Sequence, residues 1–271
     1  MSSGGNPLSV PEELLPVKRP ELEIFPQKEL SIKWIEIIDD TSSLGPVVRA
    51  RVSGDEFAVK FFKSYDPESE RHLWEPFLGE QAPLELAAYC TDQFYRECQA
   101  YERIRAAIDA KILDKDVAVT CHGVLSLTPE DQEDLEQLGV DLGLDDEAKK
   151  HPRSVIEAYD ARAIVKNITS LNSGITSINV DEIRRKVASL NEVGICIGDI
   201  RIQSFRDGRV VDFGHSVTDP HPLFDRDRFE EAKAGELLMF DEMVGHARLR
   251  NRGKVQERHG MQLRSHKQRR I

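Results

Sequence analysis

The stretch 194–214 reads GICIGDIRIQSFRDGRVVDFG, and it is the part of the chain that decides the fold. In it, Asp199 and Asp212 each follow a short apolar run, and an Asp-Gly dipeptide at 207–208 lies between them. Such a dipeptide favours a tight turn between two short strands. A hairpin of this kind brings the two carboxylates near each other, which predicts a site for a divalent metal and a proton-accepting group. Alternatively, each aspartate alone caps a turn or begins a loop.

Upstream of this stretch, the sequence predicts a small antiparallel sheet. Apolar runs over 34–38, 47–52 and 57–62 are separated by polar turns. In the last run, strand alternation places Lys60 on the same face as Ala58. A lysine in this position is either a functional cation or a residue whose stem lies along apolar surface while its ammonium group reaches the sheet edge.

A long amphipathic helix is predicted next. Apolar residues recur at steps of three and four from 94 to 108, and Thr91 or Asp92 is placed to cap the start of the helix. Glu97 falls within the apolar stripe. Burying a carboxylate is costly unless a cation meets it, so the pattern predicts a buried cationic partner for Glu97.

The rest of the chain alternates strand and helix patterns, which predicts an α+β fold. In chain order these are a strand over 117–127, a solvated acidic insertion over 130–147, a strand over 161–168, a helix opened by an Asn179–Glu182 capping box and ended by Gly194, and a helix over 226–244. The insertion carries nine acidic residues and no Lys or Arg.

Both ends of the chain differ in composition from its centre. Residues 1–26 contain five prolines among Ser, Gly and charged residues, which predicts a disordered N-terminal tail. Residues 248–271 carry nine Lys or Arg and one Glu, a net charge of +8, so the remaining chain carries −19 of the total of −11. A basic tail of this kind is either simply solvated or contacts nucleic acid or an acidic protein surface.

The composition of the 271 residues excludes several classes of protein. No apolar run approaches the roughly 20 residues needed to cross a bilayer, so a membrane partner is not expected. Four cysteines without close pairing, and no basic-then-apolar leader, predict an intracellular protein in a reducing compartment. The cysteines and histidines lack the spacing of a zinc site.

Taken together, five short segments resemble the signature set of protein kinases, in the same order along the chain: Gly45-x-Val47, Ala58-Val59-Lys60, Glu97, Asp199 and Asp212-Phe213-Gly214. The resemblance implies a protein-kinase-like two-lobed fold. It also implies ATP and Mg as cofactors. Lys60 would reach the α and β phosphates and pair with Glu97, while Asp199 would serve as the catalytic aspartate.

The same resemblance assigns roles to the remaining residues. Asp212 would hold magnesium, with Ser204 at the position of the second metal ligand. Gly45, Val47 and Ala58 would line the nucleotide pocket. The strand 163–166 would lead into the hinge that meets the adenine edge.

The sequence also departs from the kinase pattern. Asp40 and Ser42 occupy the positions of two phosphate-loop glycines, which hinders a close approach of backbone to phosphate and adds a repelling carboxylate. Ile197-Gly198 replaces the His-Arg that precedes the catalytic aspartate. Only 57 residues follow Gly214, without an Ala-Pro-Glu motif, so a reduced C-terminal lobe is expected and a standard protein kinase is not.

Four longer segments resemble a compact fungal family named for subunits of the Sim-four kinetochore complex, whose members share a reduced kinase-like core. These segments are FAVKFF at 57–62, RECQAYE at 96–102, AIVK at 163–166, and GDIR at 198–201 before DFG. The resemblance covers about residues 30–225. It implies one domain over 27–247, with an N-lobe at about 27–168 and a C-lobe at about 169–247. It further implies a nuclear protein associated with centromeric chromatin.

Three functional hypotheses remain open from the sequence. The chain is a phosphotransferase acting from ATP on a small molecule or a protein, a pseudokinase that acts as an interaction module, or a kinetochore or chromatin subunit. In the last case the fold is a scaffold, and the tail 248–271 contacts an unidentified protein, chromatin or nucleic acid.

Overall fold

The structure is a computed structural model that describes residues 22–25, 32–40, 45–63, 65–125, 127–142 and 162–247. The basic tail, most of the predicted N-terminal tail and the second part of the acidic stretch lie outside the described residues. Within the described residues, no helix combines the length and apolar character that a membrane span requires.

One antiparallel sheet of five strands forms the first half of the fold, in the order β1-β2-β3-β5-β4. Its strands are β1 Ile32–Asp39, β2 Val47–Val52, β3 Asp55–Phe61, β4 Cys121–Leu125 and β5 Ala163–Asn167. The first three strands and β5 confirm the predicted runs. Ser53 and Gly54 make the two-residue turn between β2 and β3, and both have positive φ angles.

The described residues also form six α-helices and four short strands. The helices are α1 Arg71–Leu78, α2 Leu84–Thr91, α3 Gln93–Asp109, α4 Pro129–Gln137, α5 Val180–Glu192 and α6 Arg226–His246. The strands form two pairs, β6 Ile195–Cys196 with β9 Val217–Thr218, and β7 Phe205–Arg206 with β8 Arg209–Val210. Asp207 and Gly208, with φ angles of 50° and 73°, form the predicted tight turn between β7 and β8.

The helix α3 lies where the sequence predicted it and begins at a well-defined cap. The Asp92 carboxylate accepts a hydrogen bond of 3.0 Å from the Phe94 backbone N–H. The same carboxylate pairs with Arg162, whose guanidinium lies over the Phe94 ring. The start of α3 is therefore joined to Arg162, the residue that precedes β5.

The two faces of the sheet pack into different parts of the core. Val59 and Phe61 point to a cluster with Leu125 and Leu135. On the opposite face, Ile164 and Phe62 join the larger cluster with α3, α5 and the stretch that ends in Phe213. Because this larger cluster runs from the sheet to the helices of the second half, the two halves share one apolar interior.

The sequence predicted a solvated acidic insertion over 130–147, but the first part of this stretch packs against the sheet. It begins with α4, whose N-terminal Thr128 and Asp131 side chains form a reciprocal capping box. Leu135 is fully buried against the sheet, and Val140 follows it into the same cluster. Leu138 and Leu142 also pack against this cluster, so a few apolar residues dock an otherwise acidic stretch, which its average composition did not reveal.

The predicted N-terminal tail also ends earlier than expected. Glu23 and Phe25 make backbone hydrogen bonds with Val124, at 3.0 and 2.7 Å. Leu22 and Phe25 are buried. Residues 22–25 therefore pair with backbone groups at the edge of β4. The high proline content of the whole N-terminal segment did not reveal this short ordered part.

In two predicted elements, the hydrogen bonds differ from those that the sequence predicted. The strand predicted over 117–127 is split, because Val117 and Val119 exchange backbone hydrogen bonds with Val210 rather than with the sheet. The capping box predicted at Asn179 is absent. Its side chain accepts from the Thr176 backbone N–H at 2.7 Å and donates to the Gly174 carbonyl at 2.8 Å, although the helix begins next to it as predicted.

The buried His221 gives the fold a defined pH dependence. Its Nδ1 accepts from the Leu223 backbone N–H, and its Nε2 lies 3.2 Å from the Cys90 carbonyl oxygen. Burial, together with the positive charge of Arg96, lowers the pKa of His221 from 6.5 to about 4. The unfolded chain therefore takes up a proton below about pH 6.5 that the folded protein does not.

We expect this histidine to contribute stability above pH 6.5 that is lost as the pH falls toward 4. In His221→Asn, the difference in unfolding free energy between pH 7 and pH 4 should shrink by about 2–3 kcal/mol, measured by urea unfolding. The exposed His72, changed to Asn, is the matched control and should leave the pH profile unchanged. An identical profile for His221→Asn and wild type would contradict the expectation.

Candidate active-site cleft

Lys60 and Glu97 meet in the interior, so Glu97 has the buried cationic partner that its place in the apolar stripe predicted. Lys60 extends from β3, and its Nζ donates to Glu97 Oε2 on α3 at 2.7 Å. Glu97 is fully buried. The same Nζ donates to Asp212 Oδ1 at 2.8 Å, so Lys60 joins the helix to the end of the stretch 194–214.

A second lysine, Lys166 on β5, binds the same carboxylate and was not identified from the sequence as a site residue. Its Nζ donates to Glu97 Oε1 and to the Val211 carbonyl at 2.8 Å, and it lies 5.2 Å from the centre of the Tyr101 ring. Lys166 pairs with Ala58 across the strands, so its side chain shares a face with Lys60. The signal in the sequence was a lysine at the end of an otherwise apolar strand.

Electrostatics keep Lys60 and Asp212 charged. Burial disfavours the ammonium group of Lys60, but the adjacent Glu97 and Asp212 carboxylates outweigh it and raise its pKa. Burial likewise opposes the charge on Asp212, but Lys60 and Lys166 hold its pKa well below the usual range. Two ammonium groups and two carboxylates therefore form one interior network, the Lys60–Glu97–Lys166–Asp212 tetrad.

The tetrad lies beside a cleft between the sheet and the β7–β8 hairpin. The cleft has a cavity volume of about 90 Å³, and its lining includes Val47 and Ala58, the predicted nucleotide contacts, together with Lys60, Lys166, Gln203, Arg206 and Asp212. Ligand pockets usually measure ~300–1,000 Å³. A whole nucleotide therefore requires the cleft to widen.

Gly45 has a structural reason to be glycine. Its φ is 142°, and a Cβ at this position would lie 2.2 Å from the Phe61 carbonyl oxygen. The close approach of the β3 backbone thus accounts for the residue without a phosphate. Asp40 is exposed, and Ser42 lies outside the described residues.

Asp199 lies on the loop after β6, where its side chain pairs with Arg201. The preceding Gly198 has a φ of 83°, and a Cβ there would lie 2.2 Å from the His215 carbonyl oxygen. No larger residue fits between the loop and the segment that follows Phe213. This contact explains physically why glycine replaces the arginine of the kinase pattern.

Glu236 on α6 anchors the same loop and was also missed. Its Oε1 accepts from the Gly198 backbone N–H at 2.9 Å, and its Oε2 accepts from Asn191 Nδ2 at 2.5 Å. Burial raises the pKa of Glu236. Glu236 lies seven residues after Phe229 and four before Phe240, on the buried face of the helix, so the reasoning applied to Glu97 would have found it.

The metal role of Ser204 stays a prediction. Its Oγ donates to the Asp199 carbonyl at 2.9 Å and lies 3.3 Å from the Arg201 backbone nitrogen, so the hydroxyl is engaged by its own loop. Gln203 lines the cleft in its place. In the described part of the chain, no three His, Cys, Asp or Glu side chains come together as a metal site. Of the two predicted metal ligands, Asp212 lines the cleft and Ser204 does not.

The sequence of the chain matches one family over most of its length. The family is described as kinetochore Sim4 complex subunit FTA2, and the match covers residues 10–217, about three quarters of the chain. The chain belongs to the FTA2 family. The family resemblance stated from the four sequence segments is thereby confirmed, and the matched region contains all four residues of the tetrad.

Other comparisons add little to the FTA2 assignment. No curated protein matches the chain. A solved structure described as vaccinia related kinase 3 is similar at a TM-score of 0.35 with 9% identity, over 76% of this chain and 54% of that one. The chain thus spans about half the length of that structure, and a similarity this weak carries no argument. The fold itself mixes α-helices with an antiparallel sheet.

Proposed function

We propose that this chain is a structural subunit of a kinetochore complex, located in the nucleus at centromeric chromatin, and that it acts through protein contacts. The observation that carries the proposal is the FTA2 family match over residues 10–217. In this proposal, the kinase-like core is a scaffold of two lobes, with the sheet and α3 in one and α5, α6 and the hairpin in the other.

The contacts in the interior of the cleft support a scaffold that keeps its shape without a ligand. Lys60 is bound by both Glu97 and Asp212, and Ser204 is engaged by its own loop. The tetrad joins β3, α3, β5 and the Asp212 segment through direct bonds. Because the protein's own side chains complete this network, the core needs no bound nucleotide to hold its parts together.

Localisation and co-purification test the proposal together. A fluorescently tagged chain should concentrate at centromeres and co-purify with kinetochore proteins. The same chain without residues 248–271 should keep its protein partners and lose chromatin retention at moderate salt, because the +8 tail is the segment suited to nucleic acid. A chain spread evenly through the cell, with no kinetochore protein bound, would contradict the proposal.

A second candidate function is nucleotide binding in the cleft. The observation that favours it is that Lys60 and Asp212, which the kinase resemblance assigns to phosphates and metal, both line this cleft. The cleft must widen to admit the ligand, so we expect a weak Kd, on the order of 1 mM for ATP.

Calorimetric titration with ATP tests this second candidate. Ala58→Met is the informative variant, because Ala58 lines the cleft and makes no ionic contact, so a larger side chain fills the space and leaves the tetrad intact. Binding should be seen with wild type and lost in Ala58→Met. Absence of heat with wild type would reject nucleotide binding and leave the scaffold proposal standing.

A further inference from the structure

The interior tetrad is electrically balanced, and this balance depends on Lys166. Lys60 and Lys166 contribute two positive charges, and Glu97 and Asp212 contribute two negative charges. The Lys60, Glu97 and Asp212 trio alone carries one net negative charge. Glu97 is fully buried, and the Asp212 side chain is 34% exposed. Carboxylates that exceed their cations in such a site are costly, and in proteins they recruit a proton or a metal ion.

Lys166 is held in a fixed position by three partners. Its ammonium group meets the Glu97 carboxylate, the Val211 carbonyl oxygen and the face of the Tyr101 ring. Lys166 is 3% exposed. Two of the three N–H donors of the ammonium group are therefore bonded, and the charge also lies over an aromatic ring.

The oxygen donors near the cleft are poorly suited to a divalent cation. Asp212 Oδ1 already accepts from Lys60 and, at 3.1 Å, from the Gly214 backbone N–H, which leaves only Oδ2 of this carboxylate for a cation. Asp39, the other carboxylate that lines the cleft, faces the Arg206 guanidinium at 4.0 Å. Magnesium takes six oxygen ligands and is usually anchored by one or two carboxylates that are not already neutralised.

We propose that Lys166 takes over, within the protein, the charge compensation that a divalent cation would bring to Glu97 and Asp212, so that this cleft does not bind Mg²⁺. The kinase-like core is then metal-independent. The inference concerns the cleft of the second candidate function, but its test uses a metal ion alone and is therefore separate from nucleotide binding.

Binding of Mn²⁺, followed by the electron paramagnetic resonance signal of the free ion, tests the proposal on the full chain. Wild type should show no site at millimolar Mn²⁺. Lys166→Met, which removes the charge and keeps the length, should gain one site with affinity at least roughly tenfold above wild type. Adding Asp212→Asn to that variant should abolish the gain. Lys233→Met, on the surface of α6, is the matched control and should behave as wild type.

Two results would overturn the proposal. The first is Mn²⁺ binding by wild type that is lost in Asp212→Asn, because the tetrad would then coexist with a metal. The second is a folded Lys166→Met protein that gains no Mn²⁺ site. Should Lys166→Met fail to fold, Lys166→Gln keeps a hydrogen bond to Glu97 without the charge, and the same gain is required of it.

Discussion

Replacing Glu97 by Gln is expected to destabilise the folded protein by about 3–5 kcal/mol, because Lys60 and Lys166 both lose the carboxylate that they share. The amide is of similar size but carries no charge, and one of its two ends is a donor that faces an ammonium group. Urea unfolding followed by circular dichroism measures the change. Asp109→Asn, at the exposed end of the same helix, should stay within about 0.5 kcal/mol of wild type.

The loss should be recovered in part when the partner is removed as well. In Glu97→Leu/Lys166→Met, one buried carboxylate and one buried ammonium group are replaced by apolar side chains of similar volume, and Lys60 keeps Asp212. Such paired replacements are often close to neutral, so the coupling energy in a double-mutant cycle built on the single variants Glu97→Leu and Lys166→Met should exceed about 1 kcal/mol. A cost of Glu97→Gln under about 1 kcal/mol, or a coupling near zero, would show that the tetrad does not hold the core together.

Gly198→Ala should be the second large effect, with a loss of at least about 3 kcal/mol in unfolding free energy. Two costs add, because the residue has a φ of 83° that side chains rarely adopt and the new methyl group would overlap the His215 carbonyl. Relief of the overlap moves the Asp199 loop away from the segment that holds Asp212.

Gly235→Ala is the control for this substitution. It lies inside α6, next to Glu236, and a Cβ there meets no atom within 4 Å. Alanine in place of glycine within a helix stabilises by roughly 0.5–1 kcal/mol, so the two Gly→Ala changes should have opposite signs. Similar unfolding midpoints for Gly198→Ala and wild type would contradict the packing described around the loop.

Local patterns predicted much of this fold. The strands β1 to β3 and the helix α3 follow from alternation and helical periodicity, which a few neighbouring residues determine. The partner of Glu97 was also predictable, because the place of a carboxylate within an apolar stripe can be read from one helix. The helix pattern alone showed that Glu97 needs a cationic partner, before any residue was assigned to that role.

The contribution of Lys166 was not predictable in the same way. It arises because β5 pairs with β3 and sets Lys166 opposite Ala58, a contact between strands far apart in the sequence. The reason for Gly198 is likewise non-local, since it is the His215 carbonyl oxygen that leaves no room for a side chain. Spacing alone gave Ser204 its predicted role, and it could not show that the hydroxyl donates to the Asp199 carbonyl of its own loop.

The tetrad and the Asp199 loop are held by separate sets of contacts. Lys60 binds Glu97 and Asp212, whereas the loop of Asp199 is anchored by Glu236. Asp199 lies outside the tetrad at a partly exposed position, where it pairs with Arg201.

The most direct test of this account is a cell in which Asp199→Asn is the sole copy of the protein. Asp199 lies outside the tetrad and pairs only with Arg201 among the ionic contacts of the described residues, so the substitution leaves the fold in place. We predict normal protein level, normal centromere localisation and normal chromosome segregation. Defective segregation at a normal protein level and with normal localisation would contradict the account, because the Asp199 carboxylate would then be needed for a role beyond holding the fold.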